Sequence, residues 1–236
     1  MRIKSNDDLM VKAEPDLFQT LLDFKGKVVV ELGCGDGSNS RHIAGSYPNC
    51  QVIAFEVDTV QLSRNRSENI LPNLTFKNGG AEDIALADGY ADIVMMFKSL
   101  HHVPVDAMDR AVTEISRILR PDGLLYVSEP VFAGAFNEVI RLFHDEQSVR
   151  EAAFSAEQRA VNEGLFELVA QEFFLTAQRF EDFSEFERRL IGATYANHQL
   201  DDATHREVER RFMAHMTDDG AHFQSPMRVD ILRAVA

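Results

Sequence analysis

The chain has 236 residues, 45% of them hydrophobic and 26% charged, and its 24 basic against 38 acidic side chains give a net charge of −14. That length suits one full α/β domain, and the acidic excess argues against a nucleic-acid partner, because a phosphate backbone is held by clustered Lys and Arg. Two cysteines, Cys34 and Cys50, are too few for a disulfide framework, while the opening MRIKSNDDLM lacks an apolar signal core and no long apolar run could span a membrane. The expectation is a single-domain cytoplasmic protein, residues 1–236, with no membrane partner.

Residues 1–24 are read as an N-terminal helical segment. KVVVEL (27–32) is a continuous β-branched run, as a strand covered on both faces requires. QVIAFE (51–56), LTF (74–76) and ADIVMMF (91–97) follow as further strands. Met108, Ala111, Val112, Ile115, Ile118 and Leu119 then repeat at helical spacing, RPDG (120–123) closes the pattern, and GLLYVSE (123–129) is the next strand. Strands alternating with helices predict a parallel sheet covered on both sides. From Val131 to about Phe173 helical signals dominate, with Phe136, Val139, Ile140 and Phe143 in one stripe, so residues 132–173 are expected to form a helical cover. FLTAQRF (174–180) and MRVDILRAV (227–235) read as closing strands with an antiparallel edge, and SEFE (184–187) and THRE (204–207) as capping boxes opening helices.

The stretch VVVELGCGDGSNS (28–40) runs a strand into glycines at 33, 35 and 37. A P-loop is excluded, since no Lys-Ser or Lys-Thr follows these glycines. The Gly-x-Gly-x-x-Gly spacing of a dinucleotide turn is also absent, with Ser38 where a third glycine would stand. Glu56, ending the second strand, can accept both hydroxyls of a ribose, and Asp58 is placed to cap the helix that begins at Thr59.

Taken in order, ELGCGDG, FEVD, GGAEDIALADGYADIV and FKSLHHV resemble the class I S-adenosylmethionine-dependent methyltransferases, especially their small-molecule group, over roughly residues 25–131. The resemblance implies a Rossmann-like fold with a seven-stranded, mostly parallel sheet. It implies S-adenosylmethionine as cofactor, with contacts at Glu31, Gly33, Cys34, Gly35, Gly37, Glu56, Val57, Ala81, Glu82, Phe97 and Lys98. Within that set the glycines admit the methionine portion, Glu31 helps hold its amino-acid end, and Glu56 takes the ribose. Ala81 and Glu82 meet the adenine, and Phe97 and Lys98 border the methyl. One departure stands out: Gly80 occupies a position that often carries an adenine-contacting Asp, which leaves that task to Glu82, Asp83 or backbone groups.

The implied activity is methyl transfer to a small-molecule acceptor. The alternatives are a protein that binds the cofactor without transfer, or a nicotinamide-dependent oxidoreductase. Candidates for acceptor chemistry are His101 and His102, as a base or as shapers of their loop, with Lys98 and Glu129 at the carboxyl edge of the sheet. Lys98 could bind an anionic substrate group or pair with Glu129. His144, Asp145 and Glu146 invite a metal, but three adjacent helical residues face different directions, so no metal is expected. Some phenylalanines between 132 and 186 could line an apolar acceptor pocket.

Overall fold

A computed structural model describes residues 1–5, 8–192 and 200–235. Val28–Leu32 (β1) is apolar apart from Glu31 because it lies in the middle of the sheet, paired in parallel with Gln51–Glu56 (β2) on one side and Ala91–Phe97 (β4) on the other. Leu74–Asn78 (β3) extends the β2 side, and Leu119–Pro130 (β5) extends the β4 side. Beyond β5 come Gly220–Ala234 (β8) and then Phe166–Phe180 (β6), which gives the order β3-β2-β1-β4-β5-β8-β6. Met216–Thr217 (β7) pairs with the start of β8. The reversed strand is β8, antiparallel to both β5 and β6, so it lies one strand inside the edge. The strand order turns back between β1 and β4, and open α/β sheets place their ligands at that switch point, beyond the carboxyl ends of the strands.

Each face of the sheet has its own core. One packs Val29, Val52, Ala54, Met95 and Tyr126 under Glu14–Leu21 (α1), Ser38–Ser46 (α2) and Thr59–Glu68 (α3). The other packs Val30, Ile53, Val94 and Val127 under Met108–Ile118 (α4) and Gln147–Asn162 (α6), whose Ala153, Ala156 and Ala160 let it approach closely. A third cluster joins Ala135–Ile140 (α5), Phe183–Phe186 (α7) and Asp202–Met213 (α8) to the far ends of β6 and β8 through Phe180, Phe186, Phe212 and Phe223. Phenylalanines expected to line a pocket therefore mostly pack on one another. Phe136 and Phe180 stack with centroids 5.9 Å apart, and Phe186 and Phe212 lie 4.9 Å apart. Among the described residues no helix is long and apolar enough to cross a membrane.

Several local expectations are corrected. The N-terminal segment is helical only over α1, and ahead of it Met10–Lys12 runs beside β6, with backbone hydrogen bonds of 2.9 Å to Leu175. RPDG does end α4, but it continues as a bulged start of β5, with Asp122 at φ 63°. The cover is helical only to Asn162, and residues 166–173 belong to β6. Phe166, Ala170, Phe173 and Phe174 mimic helical spacing because a register shift between Leu168 and Ala170 breaks the period of two. Neither predicted capping box forms. Asp182 caps α7 through Glu185 N–H, and Asp201 caps α8 through Thr204 N–H, each upstream of the Ser or Thr expected. Asp58 caps α3 as read, accepting from the Val60 and Gln61 N–H groups.

Candidate functional site

The glycine turn connects β1 to α2 at the switch point. Gly33, Gly35 and Gly37 all take positive φ (70°, 55° and 72°), a region that side chains disfavour. A Cβ on Gly33 would stand 2.7 Å from Ser99 Cβ, and one on Gly37 would stand 2.7 Å from the Phe76 ring, so both positions are closed by packing. Gly35 differs, because a Cβ there would meet nothing within 4 Å. Its bare face is open, leaving a cradle where a ligand can approach the backbone.

Two carboxylates bracket the turn. Glu56, only 8% exposed, accepts from Gly35 N–H at 2.7 Å and from Val57 and Asp58 N–H at 2.9 Å, which locks the end of β2 to the glycines. Glu31 is buried within β1 and receives the Ser40 hydroxyl of α2; burial pushes its carboxyl up to about 8. Cys34 Sγ is buried between them, and desolvation together with the charges of Glu31 and Glu56 pushes its thiol far above the usual range. Past β3, Ala81 is buried and Glu82 folds back over Gly80. A Cβ on Gly80 would lie 2.4 Å from Glu82 Oε2, so the Glu82 carboxylate fills the space a side chain at position 80 would take.

At the end of β4, Phe97 packs between Phe18 and Tyr126 at centroid distances of 5.6 and 5.5 Å. Lys98 is exposed, sits at φ 52°, and donates its N–H to Ser128 O at 2.7 Å. It makes no ion pair with Glu129 among the described residues, because Glu129 is already engaged. One Glu129 oxygen accepts Leu100 N–H at 2.9 Å, and the other bonds His101 Nδ1 in a short contact. Both side chains are 3% exposed. His101 Nε2 faces Glu146 Oε1 at 3.6 Å; Glu146 also bonds His144 Nε2 at 2.8 Å and Arg150 Nη2 at 2.7 Å. Burial opposes the charge on Glu146, yet His101, Arg150 and His144 hold its carboxyl below the usual range. His102 lies against His101 with centroids 4.1 Å apart, and partial burial lowers its proton affinity. The metal question thus changes its residues: Glu146 meets His101 and His102, with ligand atoms within 4.8 Å of one another, rather than joining its sequence neighbours alone.

Residues 29–123, the stretch that carries the turn, both bracketing carboxylates and the His101 loop, match a family described as a methyltransferase domain. Residues 29–123 are thus similar to a methyltransferase domain, on a fold shared with Rossmann-like methyltransferases. A fatty-acid O-methyltransferase of Mycolicibacterium smegmatis is 30% identical over 101 residues, covering 43% of this chain and 36% of that protein. The chain spans between 36% and 40% of the length of the first curated relatives it matches. A solved structure from Bacillus halodurans superposes with a TM-score of 0.67 at 18% identity, covering 94% of this chain and 99% of that one. A SAM-dependent methyltransferase from Methanosarcina mazei gives 0.57 at 14% identity, covering 96% and 99%.

Within the matched stretch the expected cofactor residues Glu31, Gly33, Cys34, Gly35, Gly37, Glu56 and Val57 all lie on or beside one turn, and Val57 is 63% exposed next to it. Sequence reasoning missed Glu14 of α1, which is buried, accepts Tyr126 Oη at 2.8 Å, and stands near Ser128 and Lys98. It also missed Arg150, and it weighed Glu146 only as a metal ligand beside His144 and Asp145; the start of α6 brings both Glu146 and Arg150 to the His101 loop. Only Glu14's place just ahead of the apolar Leu17–Phe18 pair offered a signal.

The state of Glu31 has a measurable consequence. An exposed glutamate releases its proton near 4.5, whereas folded Glu31 keeps it to about 8. Between those values the folded protein binds more protons than the unfolded chain. Glu31 therefore makes stability fall as pH rises through that window, at about 1.4 kcal/mol per pH unit, and fully penalises folding above it. Glu31→Gln should remove this component. Urea unfolding of wild type and variant across the window is expected to show the variant gaining relative stability toward alkaline pH. Parallel pH curves would refute it.

Proposed function

We propose that the protein transfers the methyl group of S-adenosylmethionine to a small-molecule acceptor. The observation that carries this reading is the open-faced Gly35 cradle, bracketed by Glu31 and Glu56, at the switch point of a methyltransferase-domain sheet. The residues present fit the cofactor. Glu56 has lone pairs left for ribose hydroxyls beyond its backbone contacts, and Glu31 stands on the strand leading to the turn, where a cationic ammonium would favour its ionised, proton-free form. The Glu82 carboxylate over Gly80 supplies the acidic acceptor that position 80 lacks, for the exocyclic amine of adenine. Phe97 and Lys98 border the methyl.

When bound, S-adenosylmethionine supplies an electrophilic methyl on a sulfonium, so the protein's share is alignment and exclusion of water. An acceptor that carries a proton must also lose it. Glu129 holds His101 with Nδ1–H toward its own carboxylate, leaving Nε2 to take that proton. The net charge of −14 supports a small molecule over nucleic acid. The named activity of the Mycolicibacterium relative supports an acceptor with an apolar body.

Calorimetry with S-adenosylmethionine, S-adenosylhomocysteine and NAD tests the reading. Both sulfur nucleosides should bind and NAD should not; the reverse would overturn it. Binding without turnover over a panel of hydroxyl, amine and carboxylate acceptors would assign a cofactor-binding protein instead. Glu56→Ala should weaken S-adenosylmethionine by about tenfold or more, the worth of losing charge-assisted hydrogen bonds. Unchanged affinity would remove Glu56 from the ribose site.

A further inference from the structure

A cavity of about 180 Å³ opens where β5 and β8 meet the first turn of α6 and the N-terminal segment. Pro130, Val131 and Phe132 form an apolar wall, and Lys4, Arg150 and Arg228 line the rest, with Glu151 as the acid among the lining residues. Three cations to one acid is the opposite of the chain's average, which carries 24 basic against 38 acidic residues.

The donors on this wall outnumber their acceptors. Arg228, 2% exposed, gives Nε to Asp230 and Nη2 to Glu157 at 2.8 Å, and its Nη1 has no acceptor among the described residues. Arg150 gives Nη2 to Glu146 and Nη1 to Asn137 Oδ1 at 3.2 Å. Its Nε is buried without an acceptor among the described residues; Asn137 Nδ2, next to it but not in the cavity lining, is buried without an acceptor too, and Glu157 Oε2 beside Arg228 is a buried acceptor without a donor. A buried donor left unpaired carries the full cost of its lost hydration, and an oxyanion is the ligand that removes such a cost. Burial also pushes the Glu157 carboxyl up, against the pull of the Arg228 guanidinium. Gln147, in the first turn of α6, adds the positive end of a helix dipole.

The cavity adjoins the His101–Glu129 pair. Glu146 points Oε2 to Arg150 in the cavity wall and Oε1 to His101, while Pro130 directly follows Glu129. We propose that this cavity anchors a carboxylate of the methyl acceptor, held by Arg150, Arg228 and Lys4 at a place separate from the atom that is methylated. The proposal rests on the methyltransferase reading and names its substrate class: a small carboxylic acid with an apolar body that lies on Pro130, Val131 and Phe132. Engineered cavities of about 150 Å³ take a benzene-sized ligand, so the space suits an aryl or short alkyl acid. The planar fork of Arg matches a carboxylate with two parallel hydrogen bonds.

The test uses the full chain saturated with S-adenosylhomocysteine, with ligand-observed NMR and calorimetry for benzoate, hexanoate, phenyl phosphate, benzamide and hexanamide. The two carboxylates should bind at least about tenfold more tightly than their amides, as loss of a charge-assisted contact implies. Lys4→Glu should weaken benzoate by about tenfold while melting temperature and S-adenosylhomocysteine affinity stay unchanged. Arg150→Gln, checked for folding by circular dichroism, should do the same to benzoate. Equal binding of acids and amides, or insensitivity to both substitutions, would overturn the anchor. Preference for phenyl phosphate over benzoate would overturn the carboxylate assignment in favour of a phosphoryl group. Benzoate binding that persists when S-adenosylhomocysteine fails to bind would sink the methyltransferase reading and leave the anchor.

Discussion

Replacing His101 with Asn is expected to lower kcat for a proton-bearing acceptor by about a hundredfold to ten-thousandfold, the usual share of general base catalysis. Affinity for S-adenosylhomocysteine should stay near the wild-type value, because His101 stands at the β4 loop and not on the glycine turn. The reasoning is geometric. His101 is fixed by Glu129 at Nδ1, and its Nε2, which faces Glu146 Oε1 at 3.6 Å, lies at the carboxyl edge of the sheet where open α/β folds receive their ligands. A control separates chemistry from architecture: an acceptor with no proton to lose, such as a thioether or tertiary amine, should turn over alike in wild type and variant. Equal losses for both acceptor types would show that His101 only shapes the loop. Glu129→Gln should cut kcat too, but it also disturbs the carboxylate that caps Leu100 N–H, so its effect on the thioether control should exceed that of the His101 variant.

The second large effect concerns stability. Arg228→Met should destabilise the fold by about 3–5 kcal/mol, since it leaves buried carboxylates without their cation. Glu157 and Asp230 are both fully buried, and Arg228 bonds both while lying 4.4 Å over the Phe154 ring. For a chain of this size the loss corresponds to roughly 10 °C in melting temperature. Replacing all three together, Arg228→Met with Glu157→Gln and Asp230→Asn, should recover much of it, because the penalty comes from uncompensated charge rather than lost volume. If the single variant melts with the wild type, the three groups are not coupled as the geometry implies.

The parallel half of the fold was readable because β1, β2, β4 and β5 are buried on both faces and therefore appear as unbroken apolar runs. The glycine turn was readable because all three glycines take positive φ and Gly33 and Gly37 are also closed by packing, so glycine has no easy substitute there. Beyond Pro130 the physics is less local. β6 lies at the edge and is half exposed along most of its length, and its bulge shifts the side-chain alternation into something like a helical period. The acceptor side was harder still. Arg228 and Asp230 alternate with Val229 and Ile231, and in a strand that spacing puts two charges on one covered face. What they meet, Glu157, lies 71 residues earlier, and no local pattern states that pairing. Glu14, Glu146 and Arg150 belong to the same class: ordinary helical charges whose partners are chosen by how the helices land on the sheet.

The inserted strand also has a kinetic meaning. β6 is made before β8, yet it has no place in the sheet until β8 has paired with β5, along a register running from Leu124–Arg233 to Pro130–Met227. A chain leaving the ribosome can therefore assemble the glycine turn and the first five strands while the edge of β5 still lacks its neighbour. Such long-range antiparallel closure is slow, and an unpaired β5 edge is a surface on which nascent copies can associate. Because Arg228 rides on β8, the cationic cavity comes into being in the same step that covers that edge. An acid held there stabilises the finished sheet alone, so its presence during refolding should raise the yield of folded protein by mass action.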